Sequence, residues 1–456
     1  QTLVASLMFP DVNRYEVTPW PNRVFRSTGI YGGSPIPDEY VTELLTVWAA
    51  ERMMPAEGSL ESGPPVIGAL TSDTLMWQRK GGRDRFSGHA APMMALVSRG
   101  VPIRVLPVER LAEPDFPPEE IKILIANFDA WKPENRSIVK GMAAWIKSGG
   151  VMIFVGGTDD FNEMENAWWI KDGYAAPSDA LLDELGIDWK KRKTVRQSTP
   201  KIQGMRLQTA KRIITPASGA PERFSALGES KCPLPLTLYG VSIADVLMTH
   251  KKKPLVWSAG AGDGTLIYAG VPGELIADEP EGDALFLELV NLAADSAGID
   301  FNAPGRMVMR RGPFTIAFSH TEPADLDGTF VNLLRPENGV SDSFSVSPGE
   351  HTFLMDTEKA VSACDQPGKP CVLIASANVM EKTSAESSIE LVMSGPVKRT
   401  GFALFYMPGM EEAGCDVIVG DGGEKTETKA YPEKDLLAIY FPLTPDGTRV
   451  KISLKQ

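Results

Sequence analysis

The pattern of apolar and polar positions along the chain changes character twice. Between residue 64 and about residue 156, short runs that are apolar at nearly every position alternate with stretches of helical spacing. "PPVIGAL", "VPIRVLPV", "IKILIANF" and "VMIFV" are the runs; "HAAPMMALVSRG" and "KPENRSIVKGMAAWIKSGG" are the helical stretches between them. A strand without alternation is covered on both faces, and helices intervene in sequence, so the pattern predicts a doubly wound parallel sheet in an α/β unit. The second helix carries Pro133 in its first turn and Glu134 beside its positive end. Ile138, Val139, Met142 and Ile146 form its apolar face, and Gly149–Gly150 stop it. A more polar insertion covers about 158–250. "PLVWSAGAGDGTLIYAG" then predicts a hairpin, and "GDALFLELVNLAADSAG" a closing helix with the stripe Leu285, Phe286, Leu289, Val290 and Ala293.

After about residue 303 helical periodicity ends. Short strands separated by Gly, Pro and Asp turns follow, among them "GFALFYMP", "LLAIYFPL" and "TRVKISL", and predict an antiparallel β-sandwich of one or two small sheets. At the other end, residues 1–55 are irregular and aromatic until "IPDEYVTELLTVWAAERMM", an amphipathic helix with Tyr40, Leu44, Val47, Trp48 and Met54 near helical spacing. The linker-like "PAEGSLESGPP" follows. The expected organisation is therefore a leading segment 1–55 packed on an α/β domain of 60–300, then a β-sandwich of 303–456.

Composition narrows the function classes. Across 456 residues, 43% hydrophobic and 23% charged positions are those of a globular protein, and no apolar run is long enough to span a bilayer. Lys and Arg number 46 against 59 Asp and Glu, a net charge of −13, which argues against nucleic acid or an anionic membrane as partner. Lys251, Lys252 and Lys253 form a basic run that reads as a solvated loop. Four cysteines make no disulfide scaffold. Cys364 and Cys371 in "CDQPGKPC" could close a short bridge in an oxidising compartment, whereas Cys232 and Cys415 read as ordinary buried thiols. Four scattered histidines and no CxxC give no metal signature, and no cofactor is expected. A chain that begins at Gln1 reads as a mature product after signal cleavage or as a piece of something longer, so a periplasmic or secreted location is expected.

In an open α/β sheet, ligands sit beyond the carboxyl ends of the strands. "VIGAL" is followed by Thr71-Ser72-Asp73 with Trp77 close behind, "IKILIANF" by Asp129-Ala130-Trp131, and "VMIFVGG" by Thr158-Asp159-Asp160 with Trp168-Trp169 beyond. Carboxylates beside flat aromatic faces suit a polyhydroxylated ligand; the competing reading is that these residues cap the following helices. Asp73, Trp77, Asp129, Asp159 and Trp168 are the candidate substrate-binding set. The same acids, with Asp160, could bind a cation, but their spacing is not that of a calcium loop. The passage "GGVMIFVGGTDDF" has the strand-to-turn form at which a nucleophile elbow is built. Its apex is Val155-Gly156-Gly157, with neither thiol nor hydroxyl, and two aspartates replace the lysine of a phosphate loop.

The run "HAAPMMALVSRGVPIRVLPVERL … IKILIANFDAWKPENRSIVKGMAAWIKSGGVMIFVGG" resembles the glutamine-amidotransferase-like domain of β-galactosidase-type glycoside hydrolases, notably family 42. The resemblance covers roughly 64–160 and 254–298, and "MRRGPFTIAFSH … SVSPGEHTFLMD" is similar to the β-sandwich that ends such enzymes. It implies a flavodoxin-like or class I amidotransferase-like fold without the amidotransferase cysteine, a role in trimerisation, and a preceding catalytic TIM barrel. Residues 1–55 would be the last strand and helix of that barrel, with Glu16 as the catalytic carboxylate candidate and Trp20 as a substrate contact, near Tyr15 and Arg23. A surface carboxylate paired with Arg14 or Arg23 is the competing reading of Glu16. The "WW" insertion departs from the family. Two functions remain open on the sequence: the carboxyl-terminal portion of a glycoside hydrolase, acting on carbohydrate as a homo-oligomer or with a barrel region, or a non-catalytic carbohydrate-binding or structural protein.

Overall fold

The computed structural model describes residues 36–72, 86–113, 115–128, 131–156, 166–197, 207–208, 213–214, 234–242, 244–278, 280–420 and 426–455. The chain forms two units, one of residues 62–305 and one of 1–61 with 306–456. In the first unit the elements run β1 (Ile67–Thr71), α1 (Phe86–Val97), β2 (Ile103–Pro107), β3 (Ile123–Ala126), α2 (Arg136–Lys147) and β4 (Val151–Val155). They continue with α3 (Pro177–Leu185), β5 (Trp189–Gln197), β6 (Leu234–Val241), β7 (Asp245–His250), β8 (Lys253–Ala261), β9 (Gly264–Ala269) and α4 (Pro280–Ala297).

The apolar runs lie side by side in a seven-stranded sheet of order β7-β8-β9-β4-β3-β1-β2. Five strands are parallel, and β7 and β8 are antiparallel at one edge. The expected all-parallel sheet is thus a mixed one, because a tight hairpin cannot return a strand in the parallel sense. β8 turns into β9 through Gly262 at φ +63°, and β7 turns into β8 through Lys251 and Lys252 at φ +48° and +63°. The basic run is therefore a hairpin turn. The polar insertion is not separate from the sheet: α3 packs on one of its faces, and β7 is its edge strand.

Alternate residues of the uniformly apolar strands supply two different cores. Ile67, Ala69, Ile123, Ile125, Ile153 and Val155 pack with α1 and α4, the latter through all five residues of its expected stripe. Leu70, Leu124, Met152, Phe154 and Tyr268 pack with α2 and α3. Each fully buried aliphatic side chain in these layers contributes roughly 1.5–3 kcal/mol. Helix α2 starts later than the sequence suggests: its cap is Asn135, whose side chain accepts from the Ser137 and Ile138 amides at 3.0 and 3.4 Å, so Pro133 precedes the helix. An Asn side chain satisfies two orphan amides there, which Pro133 cannot.

Among the described residues the strands of the second unit pair antiparallel, apart from one isolated parallel bridge between Ser394 and Thr444, and form three sheets rather than one or two: one of six strands and two of four. Strands Cys371–Ala375, Arg399–Tyr406 and Leu436–Leu443 belong to the middle layer. Phe402, Leu404 and Ala438 face a core shared with Phe314, Ile316 and Phe353 of the six-stranded sheet. Ala403, Phe405 and Ile439 face a core shared with Ile389, Leu391 and Ile452 of the other four-stranded sheet. Two buried faces explain why "GFALF" and "LLAIYF" are nearly continuous apolar runs. Helix Asp38–Met53 belongs to this unit, not to the α/β domain as expected of residues 1–55. Its buried side is Val41, Thr42, Thr46, Val47 and Ala50, while Tyr40 is 49% exposed. Two threonines on the inner face, with Thr42 Oγ1 donating to the Thr400 carbonyl at 2.8 Å, hid that face from a purely apolar count. Cys364 and Cys371 form a disulfide, and Cys415 is a half-buried free thiol whose pKa is raised, chiefly by burial. Among the described residues no helix is long and apolar enough to cross a membrane.

The hairpin β8–β9 approaches the end of α2 so closely that a Cβ on Gly264 would sit 2.0 Å from the Ile146 carbonyl oxygen and 2.3 Å from that of Gly150. Gly264→Ala is expected to lower stability to urea by about 1–3 kcal/mol. Gly260→Ala, on the same hairpin with open space around it, should change stability by less than about 0.5 kcal/mol. Equal effects from the two substitutions would show that this backbone contact does not fix the hairpin.

Candidate functional site

Reading the five parallel strands in chain order, the first has the second on one side and the third on the other, so the order reverses between β1 and β3. In open α/β sheets the crevice beyond the carboxyl ends at such a reversal is where ligands bind. Here β1 runs out into Ser72 and β3 into Asn127 and Phe128. The turn after β2 adds Glu109, the first turn of α1 adds Gly88 and His89, and the helix Glu274–Asp278 after β9 adds Glu274.

Ser72, Gly88, His89, Asn127 and Glu274 are buried, Glu109 is half-buried, and several of these groups are bonded to one another. The Ser72 hydroxyl donates to Glu109 Oε1 at 2.5 Å. Asn127 Nδ2 donates to the Gly88 carbonyl at 2.9 Å, which ties β3 to the start of α1. The indole N–H of Trp131, a fully buried residue, donates to His89 Nδ1 at 3.3 Å. Lys132 Nζ donates to the Phe128 carbonyl at 2.5 Å and is 4% exposed. A ring nitrogen that accepts carries no proton, so His89 is neutral with its proton on Nε2. Burial acts in the same direction and lowers its pKa to about 4. Gly88 and Gly273 allow the close approach on the other side. A Cβ on Gly273 would lie 1.8 Å from the Gly88 carbonyl oxygen, and one on Gly88 would lie 2.7 Å from a Glu274 carboxylate oxygen. A buried carboxylate is thereby held against the positive end of α1.

At the end of β4 stands Gly156, at φ +79°. Its amide donates to the Ala269 carbonyl at 3.0 Å, and its carbonyl accepts from the Tyr268 hydroxyl at 3.3 Å. This is the turn at which an elbow would display a nucleophile, and the residue in the left-handed conformation has no side chain. Among the described residues the edge thus offers hydrogen-bond donors and acceptors, one buried ammonium and two carboxylates. Among the described residues no group of three His, Cys, Asp or Glu could hold a metal ion.

Of the residues singled out in the sequence, Glu16, Trp20, Asp73, Trp77, Asp129 and Asp159 lie outside the described residues. Trp168 opens the short helix Trp168–Lys171 and is half-buried. Its indole N–H donates to the Pro133 carbonyl at 2.8 Å and its ring meets Trp169 edge-on, with centroids 5.8 Å apart. The polar end of that indole is thus engaged in holding the segment before α2. Sequence reasoning passed over His89, Glu109, Asn127, Lys132 and Glu274. Asn127 and Lys132 flank the segment "FDAW" that it did select, but His89, Glu109 and Glu274 come from other stretches and carry no local signal.

No family model matches this chain, and no curated protein matches it. Among solved structures, a β-galactosidase from Rahnella sp. R3 is similar over 64% of this chain and 40% of its own, at 15% identity and a TM-score of 0.38. A β-galactosidase from Bacillus circulans sp. alkalophilus is similar over 64% and 41%, at 11% identity and a TM-score of 0.37. A cytoplasmic protein from Salmonella typhimurium is similar over 50% of this chain and 98% of its own, at 14% identity and a TM-score of 0.29. The chain spans about two-fifths of the length of these β-galactosidases. Likeness at this level fixes neither activity nor substrate.

The neutral, buried state of His89 has a consequence for pH. The unfolded chain takes up a proton at this residue near pH 6.5, the folded protein only near pH 4. Between those values the unfolded state binds more protons, so stability rises with pH from about 4 to 6.5 and is level above. The contribution is about 3 kcal/mol at one pKa unit per 1.36 kcal/mol. His250 and His351, also lowered by burial, act in the same sense. Urea titrations across this range should show a shallower rise for His89→Gln than for the natural protein. An unchanged slope would mean that His89 is protonated in the fold.

Proposed function

We propose that this chain is the non-catalytic portion of a glycoside hydrolase, in which the α/β unit binds or walls a glycan and serves assembly rather than bond cleavage. The observation that carries the reading is Gly156. The sheet and its switch point are those of an open α/β fold, and Gly156, in the left-handed conformation at the end of β4, offers only backbone. The polar groups nearby support it, since the Ser72 hydroxyl donates a hydrogen bond to Glu109 and His89 accepts one from Trp131, which is how structural polar groups are satisfied. The sequence resemblance over 64–160 and 254–298 supplies the choice of a glycan as ligand. In this proposal Asp73, Trp77, Asp129 and Asp159 contact sugar beyond the strand ends, with the assembly a homo-oligomer. A periplasmic or secreted location accords with the Cys364–Cys371 disulfide, because such bonds persist in oxidising compartments.

Purified chain is expected to release no ammonia from glutamine and to leave aryl galactosides and galactan uncleaved, while galactan immobilised on a gel retains it. Turnover of any of these substrates by the chain alone would overturn the reading, as would failure to be retained. Trp77→Ala is expected to weaken galactan binding by about 1 kcal/mol or more, the worth of an aromatic contact, with the melting temperature unchanged. A loss of about 3–5 kcal/mol of stability with unaltered affinity would instead make Trp77 a core residue.

A further inference from the structure

A second basic stretch, longer than Lys251–Lys253, lies within the insertion. From Trp189 to Ile214 the chain has nine Lys and Arg and no Asp or Glu, in a protein whose net charge is −13. The stretch begins on β5, which is paired antiparallel with β6 over the register Trp189↔Val241 to Gln197↔Leu234. The partner strand offers no charge, since the residues opposite β5 are Val241, Tyr239, Leu238, Thr237, Leu236, Pro235 and Leu234. Among the described residues Arg192 is used internally. Arg192 Nε lies 3.4 Å from Oδ1 of Asp179, which is 1% exposed and also accepts from the Tyr239 hydroxyl at 2.6 Å. The strand is held in place by that pair and by the Trp189 indole, which donates to Asp183 at 2.8 Å. Lys190 and Lys193 are exposed and form no ion pair among the described residues.

We propose that β5 is a binding strip for an anionic polysaccharide, with Lys190 and Lys193 meeting its sulfate or carboxylate groups. The inference rests on the reading of the chain as part of a glycoside hydrolase, and it adds an acidic glycan at β5 to the neutral one expected beyond the strand ends. Free ammonium groups on an anchored ribbon, with no carboxylate in the stretch to compensate them, complement a polymer that repeats a negative charge. Two observations select a glycan over other polyanions. The Cys364–Cys371 disulfide belongs to an oxidising compartment, away from cellular nucleic acid. Among the described side chains of β5 the exposed ones are Lys190, Lys193 and Thr194, which offer a bilayer no apolar anchor and a base no aromatic to stack upon.

The test is affinity electrophoresis and equilibrium binding of the full chain at low and physiological salt. Dextran sulfate and polygalacturonate separate sulfate from carboxylate recognition, galactan serves as the neutral glycan, and phosphatidylglycerol vesicles and a single-stranded oligonucleotide are the other anions. The expected result is binding to dextran sulfate or polygalacturonate that weakens with salt and falls about tenfold in Lys190→Glu/Lys193→Glu, while galactan retention is unchanged. Lys190→Gln/Lys193→Gln, which removes charge without reversing it, should fall by a smaller factor and reports alone if the glutamate pair does not fold. Equal binding by natural and variant chains overturns the proposal, as does tighter binding to vesicles or oligonucleotide than to either acidic glycan. Retention on galactan without binding to either acidic glycan sinks this inference and leaves the parent reading standing. A chain that binds no glycan sinks both.

Discussion

Strands β1, β3, β4 and β9 are apolar on both sides, so water must be excluded from both faces of the sheet at once. One helical layer cannot do that. α1 and α4 cover one face and α2 and α3 the other, each through side chains three and four residues apart. Parallel strands require crossovers that pass over a face, and those crossovers are the covering helices. The carboxyl ends of the strands then share one edge, where the chain must turn and where Ser72, Asn127 and Gly156 come together in space. The site is a by-product of covering the sheet.

The same constraint shapes the other unit. A middle antiparallel sheet with apolar residues on both sides needs a neighbour on each side, and the six-stranded and second four-stranded sheets supply them. The disulfide joins the segment after the helix Thr357–Ser362 to the first strand of that middle sheet, closing a turn of seven residues' separation.

At the sheet edge, polar burial replaces apolar burial as the problem to be solved. An amide, an imidazole, an ammonium and a carboxylate lie below a tenth exposure around the start of α1. Each is costly there without a partner. The hydrogen bonds of Asn127 to Gly88, Trp131 to His89 and Lys132 to Phe128 knit the first turn of α1 to the end of β3, and two glycines let the backbones touch. This hydrogen-bonded floor is a place against which a ligand can be bound.

The sequence by itself determined the element types, the position of the change from α/β to all-β, the stripe of α4 and the glycine that ends β4. Those features are local: period and glycine are legible in a few consecutive residues. It misplaced the buried face of Asp38–Met53 because Thr42 and Thr46 bury their methyl groups while their hydroxyls bond to carbonyls. It took the sheet as wholly parallel, although its own hairpin at "GAGDG" required an antiparallel edge. Only tertiary structure decided which residues share the switch point. His89, Glu109, Asn127 and Glu274 are separated by up to 185 residues, and their partnership depends on strand order, which no local pattern encodes. Tertiary structure likewise decided that Trp168 is committed to Pro133 and that Asp38–Met53 packs with the β unit, because both depend on which surfaces remained uncovered once the two sheets had formed.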